Sequence, residues 1–137
     1  MQKAETSIET VCSLLKQCGT YYLATTDEDG KPRVRPFGTA HIFEGKLYIQ
    51  TGNFKKVYRQ LKNNPYVELS GMLDKSRWLR VEAKAVEDGR KEAKESMLEA
   101  YPELKSIYNT ENTAVFYLTE VTATVCSFTE PPKVYKF

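Results

Sequence analysis

Histidine is almost absent: the chain has one, His41, among 137 residues. It also has no Gly-x-Ser-x-Gly run, and each cysteine sits in an apolar, periodic segment, so a nucleophile–base pair has nothing to be built from. Cys12, Cys18 and Cys126 are an odd set without Cys-x-x-Cys or Cys/His spacing. They indicate neither a disulfide framework nor a zinc site, and reduced, mostly buried thiols are the expectation. No apolar run approaches the roughly 20 residues of a membrane span, and the N-terminus carries early acidic residues and no signal-peptide core. The expected location is cytoplasmic, away from membranes. A formal charge of +2 is too small to argue for nucleic acid, so any positive site must be local. His41 keeps three readings: a satisfied strand residue, part of a pocket wall, or a haem or metal ligand, the last without Cys or acidic residues at ligand spacing.

What is present is globular: 41% hydrophobic and 28% charged residues, in a length that suits a single domain over residues 1–137. Nine Tyr, six Phe and one Trp, many in alternating patterns, make the composition β-rich.

Ile8, Val11, Cys12, Leu15 and Cys18 share a helical face, with Thr6 or Ser7 as cap and Gly19 as terminator. Thr20 to Asp27 reads as a strand, and the Asp-Gly turn in Asp27 to Pro32 sends it into an antiparallel partner. That partner, Arg33 to Phe43, has one basic and aromatic parity (Arg33, Arg35, Phe37, Thr39, His41, Phe43) and one small parity. Pro36 and Gly38 imply a kink or an edge where something approaches the backbone. From Leu47 to Leu61 the apolar period changes from two to about 3.6. Leu47, Ile49 and Thr51 mark a half-buried strand, and Phe54, Val57, Tyr58 and Leu61 mark a helix that Asn64-Pro65 ends. Thr51 and Asn53 are good cap types, and Lys55 and Lys56 lie at the positive end of the helix dipole, a plausible seat for phosphate.

Two alternating runs follow, Tyr66 to Leu73 and Ser76 to Asp88. In the second, Leu79, Val81, Ala83 and Ala85 face the core and Trp78, Arg80, Glu82 and Lys84 face away. Glu68 and Glu82 lie on these strands without spacing that defines a paired-carboxylate site. Arg90 to Tyr101 has helical spacing and stops at Pro102. Thr113 to Phe128 is one long strand or two that bend at Glu120, and Glu130 to Phe137 is a proline-stiffened tail suited to packing on a partner subunit. About six strands with three helices at the rim fit a mainly β fold, a small antiparallel barrel, closed or split, with peripheral helices.

The inventory suits a flat, anionic, phosphorylated cofactor. Lys55 and Lys56 can take a phosphate, Arg33 and Arg35 can place charge beside a ring that becomes anionic on reduction, and Phe37 or Trp78 can cover an aromatic face. Flavin chemistry fits, because the cofactor transfers the hydride and the protein need only bind, orient and tune it. A solvated strand face for the arginines and a core role for Trp78 stand beside this reading. So does a small barrel that binds single-stranded nucleic acid, against which the net charge argues.

The order of DGKPRVRPFG, LYIQTGNFKKVYRQLKNNPYVEL and RWLRVEAKA resembles the pyridoxamine 5′-phosphate oxidase-like FMN-binding split barrels, in particular the small bacterial branch with the Nim-type nitroimidazole-resistance proteins. The resemblance spans Tyr21 to Val125. It implies a six-stranded antiparallel split β-barrel with peripheral helices, a homodimer with two FMN sites at the subunit interface, a small-molecule substrate and a nicotinamide cofactor as one candidate donor. Arg33, Arg35, Pro36, Phe37 and Gly38 match the family's ring-and-phosphate strand, Gln50 and Thr51 its strand end, and Asn53, Lys55 and Lys56 its phosphate-binding helix start, Lys55 being the better match of the two lysines. Trp78 and Arg80 match the position that reaches the flavin from the neighbouring subunit, although Trp78 replaces a glutamine. The chain ends PPKVYKF, without the Arg and His by which the true oxidases grip a vitamin B6 substrate. Gln50 stands where Nim-type proteins carry a histidine. The implied activity is an FMN-dependent oxidoreductase, with a non-catalytic flavin carrier or sensor as the alternative.

Overall fold

The computed structural model describes residues 5–137; the first part of the N-terminus read above for targeting signals lies outside them. The chain begins with α1 (Ser7–Cys18). The Thr6 side chain accepts from the Glu9 N–H while Glu9 reaches back to the Thr6 backbone, a reciprocal cap, and Gly19 at φ 72° ends the helix. Val11, Cys12 and Leu15 are buried in the main core. The hairpin of β1 (Tyr21–Thr26) and β2 (Pro32–Phe37) follows in antiparallel register, Leu23 opposite Arg35. Asp27 accepts from the N–H groups of Asp29 and Lys31 to hold its turn.

The run from Arg33 to Phe43 does not continue as one strand. It leaves the ladder at Gly38 and resumes as β3 (His41–Phe43), which turns through Glu44 and Gly45, both at positive φ, into β4 (Lys46–Gly52). The remaining elements are α2 (Lys56–Asn63), β5 (Tyr66–Met72), β6 (Arg77–Asp88), α3 (Lys91–Ala100), a short 3₁₀ turn (Pro102–Ser106), β7 (Thr113–Ser127) and β8 (Lys133–Lys136). Hydrogen bonding runs in the order β2-β1-β5-β6-β7-β4-β3, with β8 added to β7. The two ends of that order, β2 and β3, are consecutive in sequence and separated by three residues. The sheet therefore curls until its edges meet at an unpaired break, which is the split of a split barrel.

Among the described residues, eight strands replace the expected six. One extra comes from the break at Gly38. The other is the tail: Pro131 and Pro132 precede β8, so neither removes a ladder donor, and Lys133 to Lys136 pair with Thr122 to Val125. Glu120 sits at φ 52° opposite a register shift between Glu82 and Lys84, so β7 is one strand with a bulge.

β4 departs from the half-buried pattern, being buried from Leu47 to Gly52. Leu47 and Ile49 enter the main core, while Tyr48 on the opposite face packs with Ala93, Met97 and Val115 in a second cluster beneath α3. A helix on the outer face converts an alternating strand into a fully buried one. No helix among the described residues is long and apolar enough to cross a membrane.

Candidate functional site

β2 borders two cavities. Its first half, Pro32 to Arg35, lines an open cleft of about 910 Å³ shared with Asp27, Glu28 and Asp29 of the β1–β2 turn and with Lys56, Arg59, Gln60 and Asn63 of α2. The chain beyond it, Pro36 to Thr39, lines a second cavity of about 250 Å³ with Gln50, Thr51, Lys55, Tyr101, Glu103, Leu104 and Tyr108.

Arg35 carries the electrostatics of the cleft. It is half-buried, and burial holds its guanidinium below the usual arginine range. Nη1 donates to the Leu23 carbonyl at 3.1 Å and to Thr25 Oγ1 at 2.7 Å, and Nη2 donates to Gln60 Oε1 at 2.6 Å. All of these acceptors are neutral. Among the described residues no carboxylate forms an ion pair with Arg35. Arg33 differs, since its Nε is 2.9 Å from Asp27. The start of α2 adds to the field: no side chain caps it, so its first N–H groups add partial positive charge beside Lys56.

The expected cap is corrected here. Thr51 belongs to β4, the Asn53 side chain donates to the Glu111 carbonyl at 2.8 Å, and Lys55 itself is the cap residue. Lys55 and Lys56 consequently part. Lys56 lines the cleft of Arg35, whereas Lys55 lines the second cavity with Nζ 5.7 Å from the Tyr108 ring. Phe54 is not on the buried helix face either. It is 63% exposed and stacks on Tyr108 at 6.2 Å. A Cβ on Gly52 would come within 2.7 Å of Phe54 and 3.0 Å of Tyr108, so the pair can close over the end of β4 only because that residue is glycine.

The break in the sheet is held by side chains in place of ladder bonds. Tyr21 Oη donates to the Thr39 carbonyl, the Gln50 N–H donates to Thr39 Oγ1, and Tyr101 Oη both accepts from the Ala40 N–H and donates to its carbonyl. Tyr101, Leu104 and Tyr108, absent from the sequence-based set, thus wall the second cavity from a distant part of the chain.

Of the sequence-based candidates, Arg33, Arg35 and Lys56 meet in the cleft, and Pro36, Phe37, Gly38, Gln50, Thr51 and Lys55 in the adjoining cavity. Asn53 lines neither. Trp78 and Arg80 are elsewhere, on the outward face of β6, where Trp78 packs on Phe128 at 4.9 Å and Arg80 pairs with Glu68 at 3.3 Å. His41 is engaged with Ser96 Oγ at 2.7 Å, and burial together with the charge of Lys16 lowers its pKa. It ties β3 to α3.

The family model described as pyridoxamine 5′-phosphate oxidase matches residues 8–124. No curated protein matches the chain. Among solved structures, a NimC/NimA family protein from Clostridium acetobutylicum is 42% identical, with a TM-score of 0.90 over 96% of this chain and 92% of that one. A pyridoxamine 5′-phosphate oxidase-related, FMN-binding protein from Nostoc punctiforme shares the fold at 13% identity (TM-score 0.69, 97% of this chain and 91% of that one). So does a heme binding protein from Mycobacterium smegmatis at 14% identity (TM-score 0.70, 98% and 60%).

Proposed function

The chain belongs to the pyridoxamine 5′-phosphate oxidase family, with a NimC/NimA-type relative, and on that premise we propose that it binds FMN and works as an FMN-dependent oxidoreductase on a small molecule. The observation that carries the reading is the half-buried Arg35, whose partners among the described residues are all neutral, opening onto a cleft that also holds Lys56, Arg59 and the start of α2. Such a donor set suits a phosphate dianion. β2 runs from this cleft directly into the second cavity, where the Pro36–Thr39 segment, Gln50, Thr51, Tyr101 and Tyr108 form a narrow, partly aromatic slot. A ligand with a phosphate at one end and a flat ring at the other fits both.

In this reading Arg33, Arg35 and Lys56 hold the phosphate, and Lys55 supplies positive charge at the ring end. Tyr101, Leu104 and Tyr108 exclude water from the ring end. FMN, when bound, supplies hydride and electron transfer to a small oxidised or aromatic substrate, with a nicotinamide cofactor as candidate donor. Trp78 and Arg80 lie outside both cavities in one chain, and a homodimer in which they come from the second subunit accounts for them. The tail is paired into the sheet as β8.

Titration of the purified protein with FMN, followed by quenching of flavin fluorescence, tests the proposal. Saturable binding and a yellow protein are expected; a preparation that stays colourless and leaves FMN fluorescence unchanged rejects it. Bound FMN that no nicotinamide donor reduces and no acceptor reoxidises makes the protein a carrier or sensor instead.

A further inference from the structure

We infer that Thr25 and Gln60 are positioning residues that keep the charge of Arg35 unneutralised, so that the cleft selects a phosphorylated flavin over its unphosphorylated form; this rests on the FMN reading. The two residues come from different elements, β1 and α2, and meet only through the fold. Thr25 is buried. Its hydroxyl donates to Gln60 Oε1 at 2.6 Å while accepting from Arg35 Nη1 at 2.7 Å, and the same Gln60 oxygen accepts from Arg35 Nη2 at 2.6 Å. The three side chains close a ring of hydrogen bonds that fixes the guanidinium against β1.

A carboxylate at position 60 would satisfy the same two donors and would suit a buried arginine better. The amide there satisfies the geometry and leaves the full positive charge facing the cleft. Among the described residues no acceptor is bonded to Arg35 Nε, so the guanidinium keeps a donor free for a ligand. Arg33, by contrast, is paired with Asp27. The protein thus carries one neutralised and one unneutralised arginine on the same strand face, and the difference is made by Thr25 and Gln60.

Gln60→Glu keeps shape and acceptors and adds only charge. Its dissociation constant for FMN is expected to rise by about 10- to 100-fold, the worth of a charge-assisted contact, while that for riboflavin stays within about twofold. Thr25→Ser is expected to retain the wild-type FMN-to-riboflavin ratio and Thr25→Val to reduce it. If FMN and riboflavin weaken together in Gln60→Glu, the residue is merely structural; if FMN binding is unchanged, Arg35 does not meet the phosphate. Either result overturns the inference. Inorganic phosphate, followed by NMR shifts of the Arg35 side-chain N–H signals, separates this from the flavin reading. Wild-type protein that binds neither flavin rejects that reading. Phosphate shifts in wild type that are lost in Gln60→Glu uphold the positioning role, and absent or equal shifts overturn it.

Discussion

Lys55 and Lys56 are adjacent in sequence and separated in function by where α2 begins. The apolar period places the helix from Phe54, which makes both lysines first-turn residues. In the structure the turn at Asn53 and Phe54, held by Asn53 donating to Glu111, delays the helix to Lys56. Lys56 then faces the cleft of Arg35, and Lys55 faces Tyr108. Lys56→Ala is therefore expected to weaken FMN binding by about tenfold, and Lys55→Ala by no more than about threefold, because a phosphate contact exceeds a screened charge at longer range. Isothermal titration of the two variants checks the order, and a larger loss at Lys55 would put the phosphate in the other cavity. The strand parity that singled out Arg33, Arg35 and Phe37 was legible because alternation is local. Gln60, Tyr101 and Tyr108 were not, since their approach to β2 is made by sheet curvature and by helix docking, which no short window of sequence contains; Thr25 lies across the β1–β2 hairpin opposite Arg33, and its role depends on Gln60 arriving from α2.

At the scale of elements, local patterns named the helices and most strands, and tertiary neighbours decided their burial. β4 alternates in sequence yet is buried on both faces because α3 lies across it. The placement of α3 depends on a polar clamp at its start. Tyr48 Oη donates to Asp88 Oδ2 at 2.7 Å, Arg90 donates to both Asp88 oxygens, and Arg90 Nη2 also donates to Glu44 Oε2 at 2.8 Å. The hydrogen bonds of Arg90 hold the Asp88 carboxyl well below the usual carboxylate range, and burial with the neighbouring Asp88 pushes the Tyr48 phenol up to about 12. Asp88 thus contributes stability above the ordinary carboxylate pKa of about 4, and as pH falls below it the unfolded chain takes up the proton first and the contribution is lost. Asp88→Asn is expected to cost about 1–3 kcal/mol at neutral pH, the cost of weakening a buried, charge-assisted network. Its urea midpoint should fall less steeply than wild type between about pH 5 and 3. Parallel slopes in urea melts across that window would remove Asp88 from the acid response.

For the whole molecule, the order of hairpins and helices was enough to expect a small antiparallel barrel, closed or split, because tight antiparallel connections leave few ways to close a sheet of this length, and the resemblance to a family of split barrels chose between the two. What could not be read was which strand face stays uncovered, since alternating residues look alike whether the polar side meets water or another chain. The outward face of β2, β1, β5, β6 and the end of β7 leaves Val34 67%, Tyr22 52%, Met72 53% and Phe128 76% exposed, with Val134 on β8 at 52%. Registers place Met72 opposite Trp78 and Trp78 opposite Cys126, so these side chains form rows across neighbouring strands. An apolar face of this kind, with the Arg80–Glu68 pair on it, has the composition of a subunit interface, and it is where Trp78 and Arg80 must lie if a second copy completes the flavin site. Phe128→Asp places a charge on the most exposed of these residues, where the folded monomer has little to lose. It is expected to weaken the proposed dimer by about 30-fold or more, as removal of a central aromatic anchor does, and light scattering at micromolar concentration should then report a monomer. FMN affinity should fall in parallel with dimer content and recover as protein concentration is raised. A Phe128→Asp protein that remains dimeric shows that the copies meet on another face. One that is monomeric yet binds FMN fully shows that Trp78 and Arg80 take no part in the site.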